Sequence, residues 1–344
     1  MQREPSRASR PSSGSALRVE LYSAWPPALC SRAMDGTTIT AAVVGTGHLG
    51  RHHVRILSQM PGVRFLGAYD ADPARLQAVA AEHGVTALPN LQAAREADAV
   101  VVATPTVNHR ETAGLLLEAG CNVLVEKPIA SSLAEADELL ALALVHDVVL
   151  SVGHVEFHNP AVQAALRLAE QVRYLEAQRL SPFTARSVDV DVILDLMIHD
   201  MQITMAVAGE APSEIRAVGV PVLTDKVDLC HAWIEFPSGL VANLTASRVS
   251  AERIRKLRLF ARDSYFSVDY AEQSVSAAQL VRCDEGPPRI APRTVEVEKQ
   301  EPLASELEAF LAACRGKPSA AVGGRAGRDA LAVALEVRYQ VESR

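Results

Sequence analysis

Between residues 37 and 154, apolar runs of strand length alternate with stretches of helical spacing. The runs are TTITAAVV at 37–44, VRFLGAY at 63–69, DAVVVAT at 98–104, NVLVEKP at 122–128 and VVLSVGH at 148–154. Helical spacing fills 48–59, 73–84, 109–120 and 131–144. Such a chain has few ways to fold. Strands joined by helices pair in parallel, and the helices cover both faces of the sheet. Past residue 155 the rhythm changes. A helix at 159–172 and an apolar, acid-dotted helical stretch at 188–209 lead into strand candidates with few helices between them. One of these is RTVEVEK at 293–299, and PSG at 237–239 reads as a hairpin turn. Helices return at 302–314 and 327–342. The expected fold class is α/β, a Rossmann-like parallel-sheet domain followed by an α+β domain with an open, largely antiparallel sheet. The expected divisions are a first domain over 37–155, a second over 156–330, and a C-terminal helix end at 331–344.

A length of 344 residues suits two cores. The net charge of -7, without a Lys/Arg stripe, argues against nucleic acid as a partner. No apolar run is long enough to span a bilayer, so membrane insertion is not expected. Five scattered cysteines form no CxxC pair and fit a reducing, cytoplasmic setting. Residues 1–36 are polar, Arg-bearing and interrupted by Pro26 and Pro27. They read as a disordered tail, or as an over-extended frame with Met34 the biological start.

The turn GTGHLG, residues 45–50, sits between the first strand and its helix. Gly45 permits a tight turn, Gly47 lets backbone approach a pyrophosphate, and Gly50 lets helix and sheet pack closely. With His48 and Leu49 they form a candidate phosphate cradle at a helix N-terminus. Asp70 ends the second strand, 20 residues beyond Gly50, where a carboxylate accepts hydrogen bonds from ribose hydroxyls. A carboxylate there disfavours a 2'-phosphate, so NAD is expected rather than NADP, although Arg75 lies near enough to weaken that preference. The bland alternative is a glycine turn made for packing. Thr104, Pro105 and His109 follow the third strand and are candidates for the nicotinamide side; a solvent-facing His109 is the alternative.

Glu126, Lys127 and Pro128 end the fourth strand. A lysine beside a nicotinamide can hold a substrate oxygen and stabilise developing negative charge. Asp195 and His199 stand at i and i+4 on one apolar helical stretch. A carboxylate there would orient the imidazole and raise its proton affinity, which suits a general base. A buried structural pair is the alternative. No HExxH spacing or third ligand suggests a metal.

Taken in chain order, GTGHLG, ATPTVNH at 103–109, EKP at 126–128, GHVEFHNP at 153–160 and DVILDLMIHD at 191–200 resemble the glucose–fructose oxidoreductase and myo-inositol dehydrogenase family, over about residues 38–340. The resemblance implies NAD or NADP on the first domain, a sugar site shaped by the second, and an oligomer formed through it. It implies catalytic or substrate-binding roles for Lys127, Asp195 and His199, with His154 and Asn159 on the substrate side and Glu126 on the cofactor side. The stretches look closest to members that oxidise position 3 of UDP-N-acetylglucosamine. Free polyol dehydrogenation and a non-catalytic sensor are the alternatives. Many relatives carry HVERFNP where this chain has Phe157 and His158. If that missing arginine binds diphosphate, Arg179 or Arg186 must replace it here. A homodimer or homotetramer is expected, because an uncovered strand-rich face needs a partner.

Overall fold

The structure, a computed structural model, describes residues 38–184, 190–283 and 287–343. The expected N-terminal tail and Arg186 lie outside the described residues. The first half runs β1 (Ile39–Val44), α1 (Gly50–Gln59), β2 (Val63–Tyr69), α2 (Pro73–His83), β3 (Ala99–Val102), α3 (His109–Glu118), β4 (Asn122–Glu126), α4 (Leu133–Val145) and β5 (Leu150–Gly153). Its five strands are all parallel, in the order β2-β1-β3-β4-β5. Local chemistry sets the boundaries. Asp72 accepts from the N–H groups of Ala74 and Arg75 to start α2, and Gly84 ends it at φ 65°. Ser132 caps α4 by accepting from the Glu135 N–H.

The second half contains α5 (Pro160–Leu168), β6 (Val172–Leu180), a π-turn at Ile193–Met197 continuing into α6 (Ile198–Ala208), and then β7 (Glu214–Val220), β8 (Leu229–Glu235), β9 (Val241–Ser247), β10 (Ile254–Ala261), β11 (Ser264–Asp269), β12 (Ser274–Val281) and β13 (Arg289–Arg293). The sheet order is β13-β12-β11-β10-β6-β9-β8-β7. Only β6 and β9 pair in parallel. The hairpin turn at 237–239 joins β8 to β9 as its composition predicts, with Gly239 at φ 82°. The strand expected at 293–299 is displaced to 289–293. Beyond Arg293, Val297 still packs on the second core, but its backbone joins no ladder.

Two helices cross the expected division. Helix α7 (Pro302–Cys314) returns to the first sheet, where Leu307, Phe310 and Leu311 join Ile39, Val54 and Leu57 in one core. Helix α8 (Gly324–Glu342) touches both halves. Leu331 lies in the core under β4 and β5, while Ala330, Val333, Ala334 and Val337 lie in the core of the eight-stranded sheet. The segment before it is tied to β5, since Val152 N–H donates to the Val322 carbonyl at 2.8 Å. Among the described residues, no helix is long and apolar enough to cross a membrane.

Candidate active site

In the strand order β2-β1-β3, successive crossovers leave β1 in opposite directions. A crevice therefore opens beyond the carboxyl ends of β1 and β3, the usual ligand position in such sheets. It is a cavity of about 650 Å³ lined by Gly45, Gly47, Asp70, Ala103, Thr104 and Pro105, among others. The glycines explain its shape. Gly45 has φ 94°, and a Cβ there would meet the Ala103 carbonyl oxygen at 2.5 Å. A Cβ on Gly50 would meet the Gly45 oxygen at 1.8 Å, so the turn closes only without side chains. At Gly47 a Cβ would meet nothing within 4 Å, which leaves that backbone open to a ligand. The backbone N–H groups of Gly47, His48 and Leu49 find no backbone acceptor among the described residues. His48 and Leu49 are themselves exposed.

Asp70 closes the other end. Its carboxylate accepts from Thr46 N–H at 2.7 Å, the Thr46 hydroxyl at 3.0 Å and Asp72 N–H at 2.8 Å. Burial pushes its proton affinity up, but these donors and nearby Arg75 prevail and hold the carboxyl below the usual carboxylate range. Arg75 lies 3.4 Å from Asp70 and 3.3 Å from Asp72, with its side chain half exposed. Thr46 was not singled out from sequence; it fixes the carboxylate to the glycine turn. Thr104 adds a buried hydroxyl without a hydrogen-bond partner. Open backbone at Gly47, an orphaned hydroxyl and an ionised carboxylate form a donor and acceptor set that fits NAD.

Lys127 emerges from the end of β4. Its Nζ donates to the Asp195 carbonyl at 2.6 Å and to Asp195 Oδ1 at 3.0 Å. Here the structure departs from the sequence reading. Asp195 holds Lys127, and among the described residues no hydrogen bond joins it to His199. The π-turn at 193–197 is the reason. Its wider turn breaks the i,i+4 stacking of a regular helix, and Asp191 anchors its start by accepting from Ile193 and Leu194 N–H. His199 instead lies edge-on to His154, ring centroids 5.6 Å apart. Its proton affinity is lowered, not raised: burial drives it well below the usual histidine range, helped by the charges of Lys127 and Arg179. His154, with both ring nitrogens unpartnered, is pushed down to about 3 by burial and Lys127. Burial also takes His158 down to about 4. The site therefore presents neutral imidazoles beside one ammonium.

Four other expectations change. His109 is buried, with Nδ1 and Nε2 each 2.9 Å from a carbonyl, of Pro128 and Thr104 respectively. It braces the Thr104 loop, which lines the cleft, against the loop after β4 instead of pointing into the cleft. Glu126 faces inward, with Oε1 2.7 Å from His53 Nε2 and the buried Glu306 nearby, so it lies behind the cofactor cleft. Asn159 is the N-cap of α5, accepting from Ala161 N–H and donating to the Tyr270 carbonyl. Arg179 is 3% exposed and engaged through all three nitrogens: its fork donates to both Asp200 oxygens at 3.0 and 2.8 Å, and its third nitrogen to Glu156 at 2.5 Å. It is not available to a diphosphate. Charged residues inside the apolar run around Asp200 were the sequence signal that a buried partner existed, but not which one.

A glycine cradle fit for a nucleotide cofactor, on a chain that also pairs a lysine from the first half with an aspartate and a buried histidine from the second, points to an oxidoreductase. A family model described as an oxidoreductase family with an NAD-binding Rossmann fold matches residues 39–154. Another, described as a GFO/IDH/MocA C-terminal domain, matches residues 167–265. The chain belongs to the Gfo/Idh/MocA family of oxidoreductases, and its first domain is the NAD-binding one. It is similar to UDP-N-acetylglucosamine 3-dehydrogenase of Acidithiobacillus ferrooxidans, 41% identical over 88% of this chain and 96% of that protein. A solved structure of that enzyme superposes with a TM-score of 0.83 at 39% identity, covering 89% of this chain and 98% of the other. Inositol 2-dehydrogenase of Rhizobium meliloti is 26% identical over 89% of this chain and 98% of its own length.

Proposed function

We propose that this protein oxidises a secondary hydroxyl of a nucleotide sugar with NAD, acting at position 3 of UDP-N-acetylglucosamine. The observation that carries the reading is the Lys127–Asp195 contact, which sets an ammonium close enough to buried His199 to oppose its protonation. The near full-length similarity to a UDP-N-acetylglucosamine 3-dehydrogenase supports the substrate. The glycine turn, Thr104 and Asp70 would hold NAD, whose bound nicotinamide supplies a hydride acceptor. Lys127, fixed by two oxygens of Asp195, donates a hydrogen bond to the reacting hydroxyl oxygen and stabilises its developing negative charge. His199 is neutral at pH 7, as a base must be, and takes the hydroxyl proton. The ammonium makes that hydroxyl more acidic, so a weak imidazole base suffices.

The test is turnover followed by NADH absorbance. UDP-N-acetylglucosamine with NAD should give the highest kcat/KM, ahead of myo-inositol, free N-acetylglucosamine and any pairing with NADP. Preference for myo-inositol would replace the nucleotide-sugar reading. Preference for NADP would make Arg75, not Asp70, the residue that decides cofactor choice.

A second copy belongs to this reading. The face of the eight-stranded sheet away from its helices carries Tyr174, Trp233, Phe260 and Tyr265, with neighbouring ring centroids 6.2, 5.6 and 4.9 Å apart. Exposed Val218 and Val220 extend the apolar patch along β7. Sedimentation at micromolar concentration should give a dimer or tetramer; a monomer would overturn the expectation. A cytoplasmic setting completes the proposal, resting on the dispersed cysteines.

A further inference from the structure

Arg255 stands directly opposite Arg179 in the β10–β6 ladder. Side chains alternate along a strand, so Arg255 shares the face of buried Leu257 and Leu259, the side on which Arg179 meets Asp200 of α6. Two like charges side by side on one sheet face repel. Glu156 lies between them, 2.5 Å from Arg179 and 3.7 Å from Arg255. The two arginines are not equivalent. Arg179 is buried and has all three nitrogens engaged. Arg255 keeps 42% of its side chain exposed. A separation of 3.7 Å is too long for a hydrogen bond, and among the described residues no hydrogen bond engages its guanidinium. Its charge nevertheless reaches His199, where it helps to oppose protonation.

We infer that Arg255 is the cation that receives the phosphate groups of the substrate, an inference that rests on the nucleotide-sugar reading above. A guanidinium fork matches phosphate oxygens with two parallel N–H bonds. Turning toward a phosphate costs Arg255 one loose contact, while Arg179 continues to neutralise Glu156. The sugar then lies between that anchor and Lys127. The residue selects for phosphorylated over free sugars and takes no part in proton transfer.

The experiment titrates UDP, and separately NAD, into the full-length protein by calorimetry. The wild type should bind UDP. Arg255→Gln should weaken UDP by roughly 10- to 100-fold, the loss of charged hydrogen bonds, with NAD affinity unchanged as a check on the fold. Arg255→Lys keeps the charge but not the fork and should fall between; it carries the test if the Gln variant does not fold. Equal UDP affinity in wild type and variants would overturn the role of Arg255 while leaving the nucleotide-sugar reading intact. A wild type that binds no UDP and oxidises myo-inositol would overturn both.

Discussion

His199→Asn lowers turnover by roughly 10²–10⁴-fold, the usual cost of removing a general base, with NAD affinity almost unchanged. Asn keeps a polar side chain of similar reach, so the helix face survives. Lys127→Met keeps the length, loses the charge, and should fall by a comparable factor, because the cation that would steady the substrate oxygen is gone. Asp195→Asn belongs with Lys127 and not with His199, since its carboxylate contacts Nζ at 3.0 Å. It should change the rate without moving an acidic limb that His199 sets. That limb lies below the ordinary histidine range because burial, Lys127 and Arg179 all oppose the imidazolium. Steady-state kinetics across pH, with NAD binding measured in parallel, checks the set. Full activity of His199→Asn would transfer the base role to Lys127.

The same histidines make the fold acid-labile. In the unfolded chain each imidazole binds a proton near pH 6.5, whereas in the folded interior His158 resists protonation to about 4 and His154 to about 3. Between those limits protons favour the unfolded state, so stability falls as pH falls. Each resisting group removes about 1.4 kcal/mol per pH unit. At pH 5 the two together remove roughly 4 kcal/mol, a large share of a typical 5–15 kcal/mol. Urea unfolding at pH 7.5, 6 and 5 should show a steadily falling midpoint, and His158→Leu should flatten the slope. A midpoint constant down to pH 5 would contradict the burial of these rings as neutral groups.

The first domain was legible in the sequence because its signals are local. A glycine at a forced φ, a capping Asp72 and a stopping Gly84 each act within a few residues, and β2 begins and ends where its apolar run does. The cleft was half legible. Lys127, Asp195 and His199 come together, yet their pairing depends on a π-turn whose apolar sequence resembles that of any helix. The fate of Arg179 was hidden for another reason. Whether an arginine is free or saturated depends on Asp200 and Glu156, which are 21 and 23 residues away and reach it only through tertiary packing. Arg255 escaped notice because Arg255, Lys256 and Arg258 put basic residues on both faces of one strand, and only the sheet sets Arg255 beside Arg179 and Glu156.

Helix α8 bears on both halves at once. Where it crosses β5, a methyl group at Gly327 would meet Val152 Cγ2 at 2.4 Å, and one at Gly324 would meet Leu150 at 2.9 Å. On that side the helix meets β5 with bare backbone, while on the other its Val333 and Val337 fill the core of the eight-stranded sheet. The helix is therefore a shim between the two halves: bulk added at Gly324 or Gly327 has no room on β5 and must push one core away from the other.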